Sequence, residues 1–171
     1  MTVNAQDPDP EQVSARLGAA HRTAKVLVLV FVASIVFYTV IGVVILQTAA
    51  GEPRPFQHRI PFFVAVLFLA LGSIALRRTQ FRWLRLEVIG GLKGVEGLIK
   101  HLSTMTIISA ALAETIGLLA LIIVFFGGDL RDIITVGVVG LLVALSSYPR
   151  RAAWQKIVEY FVANAGVTAR R

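Results

Sequence analysis

One carboxyl group stands out in this sequence because its surroundings are otherwise apolar. Glu114 lies at the midpoint of residues 102–126, a run of 25 residues that holds no other ionisable side chain. An ionised carboxylate at the centre of a membrane costs at least about 2.5–3.5 kcal/mol, so the protonated form is favoured there. A protonated carboxyl still needs a hydrogen-bond partner in hydrocarbon. Glu114 is therefore either a proton or cation site or a structural carboxyl that locks two helices together.

Small residues recur around Glu114 at helical spacings of three and four. Such a stripe lets membrane helices approach each other closely, so Glu114, which lies beside it, is expected to point into a helix bundle or its seam. The run 133–148 carries a similar stripe, and the two runs are therefore expected to pack tightly. The helix-packing candidates are Thr106, Ala110, Ala113, Gly117, Ala120, Gly137, Gly140 and Ala144.

Tyr38 is the best candidate for the partner of Glu114. It lies within two residues of the midpoint of another apolar run, 26–46, so its depth in a membrane matches that of the carboxyl group. Its hydroxyl can donate or accept a hydrogen bond. The sequence therefore predicts a Tyr38–Glu114 pair between two helices.

Other reactive groups form no recognisable constellation. The chain has no cysteine, which excludes thiolate catalysis and cysteine-ligated metals, and its three histidines, His21, His58 and His101, lack metal-ligand spacing. No nucleophile–base set is apparent, so we expect no enzymatic activity, cofactor or metal site. The residues from Gly127 to Asp132 predict a turn that links two helices.

The composition requires a solvent other than water around much of the chain. Of its 171 residues 56% are hydrophobic and 16% charged, whereas soluble domains carry about 25% charged residues. Four runs approach the roughly 20 residues that cross a bilayer. They predict an all-α integral membrane four-helix bundle made of two helical hairpins. The spans are 26–46, 60–76, 102–126 and 133–148, the last being short enough for a re-entrant segment as the alternative.

Basic residues give this bundle an orientation. Fourteen of the 17 lysines and arginines fall in the N-terminal flank, in residues 77–101 or in the C-terminal tail, and three fall on the other side. By the positive-inside rule both termini are cytoplasmic. The basic residues flank spans and form no separate basic domain, so nucleic acid is not an expected partner. The candidates for contact with anionic lipid headgroups are Arg77, Arg78, Arg82, Arg85, Arg150 and Arg151.

Three segments lie outside the spans. Residues 1–25 predict a flexible tail, and residues 77–101 predict an interfacial loop. An apolar helical face is expected there, and it comprises Leu92, Val95, Leu98, Ile99 and Leu102. Residues 149–171 predict a basic tail that is partly an amphipathic helix, with Trp154 and Phe161 on its apolar face. These surfaces suit anionic lipids or a protein partner. The alternative is that they are ordinary topology-setting flanks.

The residues around Glu114 resemble those of a known family. The segment 109–119, Ser-Ala-Ala-Leu-Ala-Glu-Thr-Ile-Gly-Leu-Leu, resembles the carboxylate helix of the rotary ATP synthase proteolipid, subunit c. The resemblance implies that Glu114 binds an ion. This chain departs from the family in its long 77–101 segment and in the single glycine, Gly72, of its second span.

A second resemblance covers roughly the second half of the chain. Residues Ala111 to Glu114, the Gly127-Gly128 turn and the sequence Tyr148-Pro149-Arg150 are similar to those of a group of bacterial four-span membrane proteins to which no activity is assigned. We therefore expect a non-enzymatic accessory, assembly or scaffold subunit, with a membrane-protein partner or a second copy. The alternative is a proton- or cation-linked protein that uses Glu114, as an oligomer.

Overall fold

The computed structural model describes residues 10–48, 56–57 and 59–168, and its regular secondary structure is entirely helical. This confirms the predicted all-α class. Five helices follow one another along the chain. They are α1 (Pro10–Thr48), α2 (Arg59–Gln80), α3 (Trp83–Phe125), α4 (Leu130–Ser146) and α5 (Arg151–Thr168).

Two of the helices are much longer than a membrane is thick. α1 has 39 residues and α3 has 43, which corresponds to about 60 Å each at 1.5 Å per residue. The hydrocarbon core of a bilayer measures about 30 Å. Both helices therefore take part in two regions, a four-helix bundle and a second cluster of helices at one end. We call the second region the head and the opposite end of the bundle the base.

α3 is the central helix, since it contacts each of the other four. α1 and α2 both pack on α3 and α4, but in the described residues they have no contact with each other. The bundle is therefore diamond-shaped, with α3 and α4 on the short diagonal. This corrects the prediction of two helical hairpins: α3 and α4 pack as a hairpin, whereas α1 and α2 do not.

Glycines set the distance between the bundle helices. A β-carbon added at Gly140 of α4 would lie 3.2 Å from the backbone nitrogen of Gly117 on α3. One added at Gly117 would lie 2.6 Å from Cγ1 of Ile35 on α1. The third contact, between α1 and α4, seats Thr39 directly against Gly137. Close approach of this kind maximises van der Waals contact where no hydrophobic effect favours helix association.

The base is closed by the start of α4. The Asp129 side chain accepts a hydrogen bond from the backbone N–H of Asp132, and the Asp132 side chain accepts one from the backbone N–H of Asp129, at 2.9 and 3.2 Å. This reciprocal capping box satisfies two N–H groups that the first helical turn leaves without partners. Gly127 precedes it with a positive φ of 88°, which glycine adopts without steric cost. The predicted helix-linking turn is therefore present.

The head has a hydrophobic core of its own. Of the apolar face that was expected to be interfacial, Leu98 and Leu102 are fully buried, together with Ala24 of α1 and Trp154 of α5, whereas Leu92 is 79% exposed. Residues 10–25 are helical, and Leu17 among them is buried, so the prediction of a flexible tail is wrong for this segment. Residues 1–9 lie outside the described part of the chain. The other head-core residues are Leu86, Val95, Ile99, Val158 and Phe161.

α3 is broken once, inside the head. Gly94 has φ 65° and ψ −172°, so the helix axis changes direction there. The positive φ requires a residue without a β-carbon. The break separates a first segment of α3, residues 83–93, from the straight part that begins at Val95. The predicted interfacial loop 77–101 is thus the end of α2, a short turn and a bent helix packed on α1 and α5.

The outside of the bundle is apolar. Large hydrophobic side chains are exposed on α1, α2 and α4, such as Phe37 at 60%, Phe68 at 78% and Leu142 at 63%. A soluble monomer rarely exposes a continuous apolar surface of this extent. α1, α2, α3 and the stretch that begins with α4 are also long and apolar enough to cross a membrane. This is the architecture of a multi-pass membrane protein.

Gly117→Ala should destabilise the bundle, because the added methyl would collide with Ile35, which is fully buried and has a β-branched, stiff side chain. We expect a loss of about 1–3 kcal/mol, visible as a lower Tm in detergent micelles. Gly72→Ala is the matched control, because no atom lies within 4 Å of the added position. Equal Tm values for the two variants would contradict the packing described above.

Candidate functional site

Tyr38 and Glu114 meet at the seam between α1 and α3. The Tyr38 hydroxyl donates a hydrogen bond to Oε1 of Glu114 over 3.3 Å, and both side chains are half-buried. The sequence had predicted this pairing from depth and from the chemistry of the two groups, and the structure contains it. The pair joins two helices that are separated by 76 positions in the chain.

The packing of small residues positions the pair. Gly117 lies one turn after Glu114 on α3, and Ile35 lies one turn before Tyr38 on α1. The contact of Ile35 with Gly117 therefore holds the two backbones at the short distance that the hydrogen bond needs. Next to the pair, Ala113 and Ile116 are fully buried in the bundle core. Glu114 thus stands at the border between a packed core and the apolar outer surface.

Chemically, the pair offers a carboxyl group and a phenol. The carboxyl can exist with or without a proton, and the hydroxyl can donate to it or accept from it. The two side chains offer fewer oxygen ligands than the six to eight that a calcium ion takes. The geometry is therefore that of a proton-binding group or of an interhelical polar lock. A complete cation site would need further oxygen atoms from another molecule.

All the helix-packing candidates are buried, and they fall into contacts with different neighbours. Gly117, Gly140 and Ala113 meet in the α3–α4 contact, and Gly137 faces α1. Thr106 donates its hydroxyl to the carbonyl of Leu102 on its own helix, so it adds no polar link between helices. The buried set comprises Thr106, Ala110, Ala113, Gly117, Ala120, Gly137, Gly140 and Ala144.

The six arginines proposed for headgroup contact all lie at the head end of the bundle. Arg77 and Arg78 belong to the last turn of α2. Arg77 is half-buried and the other five are exposed: Arg78, Arg82, Arg85, Arg150 and Arg151. Arg54, Arg170 and Arg171, which entered the charge count, lie outside the described residues.

Sequence reasoning missed an ion pair at the base. Asp132 is 3% exposed, and its Oδ1 lies 2.6 Å from a guanidinium nitrogen of Arg59 at the start of α2. Asp129 lies 3.8 Å from the same nitrogen. A buried carboxylate requires such a partner. The available signal was that Arg59 and Asp132 both lie at the start of an apolar run, at the same end of the bundle, and carry opposite charges.

The histidines occupy separate places in the structure. His21 on α1 has its Nε2 3.1 Å from the carbonyl oxygen of Pro149, and its ring meets Trp154 edge to face. His101 lies on α3, where its Nε2 is buried without a hydrogen-bond partner in the described part of the chain. His58 is outside that part. Within the described ranges no three histidine, aspartate or glutamate side chains cluster as metal ligands would.

The chain was compared with known proteins, and no family model, curated protein or solved structure matches it. The class of protein is accordingly defined by fold and site alone. The chain has the architecture of a multi-pass helical membrane protein, with the Tyr38–Glu114 pair at a seam of its apolar bundle.

A double-mutant cycle should measure the Tyr38–Glu114 coupling. Interhelical hydrogen bonds in membranes are worth about 0.6 kcal/mol on average and up to about 1.7 kcal/mol. We expect Tyr38→Phe to destabilise the bundle by an amount in this range, and to have little further effect once Glu114→Leu has removed the acceptor. Unfolding in mixed micelles gives the four free energies. Strict additivity of the two substitutions would contradict a direct bond.

Proposed function

We propose that the chain is a four-span protein of the bacterial cytoplasmic membrane, with both termini in the cytoplasm, and that it acts as a non-enzymatic accessory, assembly or scaffold subunit. The observation that carries this proposal is the head. A membrane anchor would need the bundle alone, whereas α1 and α3 extend beyond it and build a second hydrophobic core with α5. That core holds a defined protein surface close to the bilayer.

The distribution of basic residues supports the orientation. Among the described residues, the base carries Arg59 and Arg131, and Arg59 is already paired with Asp132. The other described lysines and arginines belong to the head or to the ends of helices next to it, as with Arg77 and Lys100. The positive-inside rule assigns such an end to the cytoplasm.

A groove on the head suits a partner that is held in the same membrane. It lies between the start of α1 and α5, has a volume of about 300 Å³, and is lined by apolar side chains that include Val13, Leu17 and Val158. Gln155 and Glu159 give it a polar rim. An apolar helix face fits this type of groove. Since the head is continuous with membrane helices, we assign the groove to a cytoplasmic segment of another membrane protein.

Site-directed crosslinking tests the subunit proposal. Because the chain has no cysteine, a photoreactive group can be attached at Glu159→Cys, on the groove rim, in cells that make the protein. We expect an adduct of defined mass, absent from Arg131→Cys, which carries the same group on the exposed base. An adduct of twice the chain mass would identify a second copy as the partner. Equal adduct patterns from both positions would contradict a docking role for the head.

The Tyr38–Glu114 pair supports a second candidate function, a proton-linked role. A single carboxyl group at mid-bundle can take up and release a proton, and a neighbouring hydroxyl can follow the change by donating or accepting. Intramembrane carboxyl groups commonly mark such sites. Movement of an ion across the membrane would require several copies of the chain, since one pair supplies only one step of a pathway.

A hydrophobic carbodiimide should distinguish a titrating Glu114 from a purely structural one. The reagent attacks protonated carboxyl groups from the lipid phase, so we expect labelling at Glu114 that declines as the pH rises. Glu114→Gln should remove the labelling while leaving expression intact, and Glu159, exposed on the head, serves as the unlabelled internal reference. Mass spectrometry of the peptides gives the extent. Absence of labelling at every pH would exclude the proton-linked role.

A further inference from the structure

The first segment of α3, residues 83–93, has two different apolar faces. One face is buried in the head: Leu86 is 1% exposed, and a β-carbon at Gly90 would lie 2.7 Å from the ring of Phe161. The other face carries Leu84, Val88 and Leu92, which are 77%, 58% and 79% exposed. These three residues are four apart and so form a stripe along the helix, opposite the buried face. We call it the outer stripe.

Exposure of the outer stripe has no explanation within the head. Three large aliphatic side chains in one row are more than the scattered single residues that protein surfaces normally show. The polar neighbours of the stripe are mainly basic. Arg85 borders it on one side, Arg82 stands at the start of the helix, and Arg78 precedes the turn, with Glu87 the one acidic residue of the segment. An apolar stripe beside arginines is the pattern of a helix that binds an anionic membrane surface.

The position of the segment in the chain places it near such a surface. α2 presents Leu67, Leu71 and Ile74 on its exposed side, and its last turn contains Arg77 and Arg78. Only the turn at residues 81–82 separates α2 from the first segment of α3. The outer stripe therefore begins a few residues after the apolar exterior of the bundle ends.

We propose that the first segment of α3 lies at the membrane–water interface, with Leu84, Val88 and Leu92 among the lipid acyl chains and its arginines on anionic headgroups. This inference rests on the proposed insertion of the bundle in a membrane. Of the interfacial face predicted from the sequence, Leu92 lies on the outer stripe, whereas Val95, Leu98, Ile99 and Leu102 are covered by the head core. Leu84 is the residue nearest to α2, so it lies deepest and Leu92 lies closest to the water.

In this arrangement the first segment of α3 attaches the head to the membrane, in addition to the connections through α1 and the straight part of α3. α1 and α3 enter the membrane as continuous helices, and the interfacial segment holds the side of the head that contacts Phe161 of α5. The arginines make this attachment dependent on anionic lipid, because a negative surface attracts each basic residue within about a Debye length. The orientation of α5 above the bilayer then follows lipid composition.

Spin labels on single cysteines test the proposal in the full-length protein, which is otherwise cysteine-free. The labels are placed at Leu84, Val88 and Leu92 in vesicles of phosphatidylcholine, with or without phosphatidylglycerol. Their collision rates with oxygen, which is enriched in lipid, and with a water-soluble nickel complex give the depth. We expect a several-fold higher oxygen-to-nickel ratio than at Glu87→Cys on the same segment, decreasing from Leu84 to Leu92.

A second set of measurements tests the contribution of the positively charged arginines. Phosphatidylglycerol should increase the depth of the labels, and combined Arg82→Gln and Arg85→Gln substitutions should remove that increase. Arg131→Gln, at the base, is the matched control and should leave it unchanged. An increase that survives the double substitution would overturn the assignment of these arginines to headgroups.

The remaining outcomes separate this inference from the proposed function. A label at Phe68→Cys, on the exposed side of α2, reports insertion of the bundle. If it shows lipid contact while the stripe labels behave like Glu87, the stripe lies in water and the inference fails alone. If the stripe labels are shielded from both collision partners, protein covers them and the inference also fails. Nickel access at Phe68 would contradict insertion itself, and with it the proposed function.

Discussion

The close contact of α3 with α4 at Gly117 and Gly140 is the constraint on which the rest of this structure depends. Two helices without side chains at the crossing can bring their backbones together, and the pair then offers a groove on each side. α1 occupies one groove, where Ile35 and Thr39 rest on the glycines of α3 and α4. α2 occupies the other, with Val66 and Ser73 buried against the central pair. The diamond arrangement follows from this contact.

The polar pair is a consequence of the same packing. Ile35 and Tyr38 lie one helical turn apart on α1, and Glu114 and Gly117 lie one turn apart on α3. The contact that seats Ile35 against Gly117 keeps α1 and α3 close, and across this close seam the Tyr38 hydroxyl donates to Glu114. A carboxyl group in hydrocarbon must find a donor or acceptor, and here the partner is supplied by the helix that the glycines admit. Packing and polar recognition thus specify one register for α1.

The sequence predicted those features that depend on single residues or on local spacing. Hydropathy located the four helices that are long and apolar enough to cross a membrane, and the depth and hydroxyl of Tyr38 paired it with Glu114. It could not predict which helices are neighbours, because small-residue stripes show that a helix is approached closely but do not identify the partner. For the same reason the face formed by Val95, Leu98, Ile99 and Leu102 was assigned to the membrane interface, although the head core covers it. An apolar face has the same pattern whether lipid or another helix covers it, and only the placement of α5 distinguishes the two.

Continuity of two helices joins the bundle to the head mechanically. α1 has no proline after Pro10, and α3 has none, so the usual cause of a sharp helix kink is absent from the sequence of both. The break at Gly94 precedes Leu98 and Leu102, so these two head-core residues lie on the same unbroken stretch of α3 as Glu114. A displacement of α1 along α3 at the Tyr38–Glu114 pair would therefore be carried to Leu17 and Ala24 in the head. A proton at Glu114 and a partner on the head would then act on the same two helices, so the two proposed roles are compatible within one molecule.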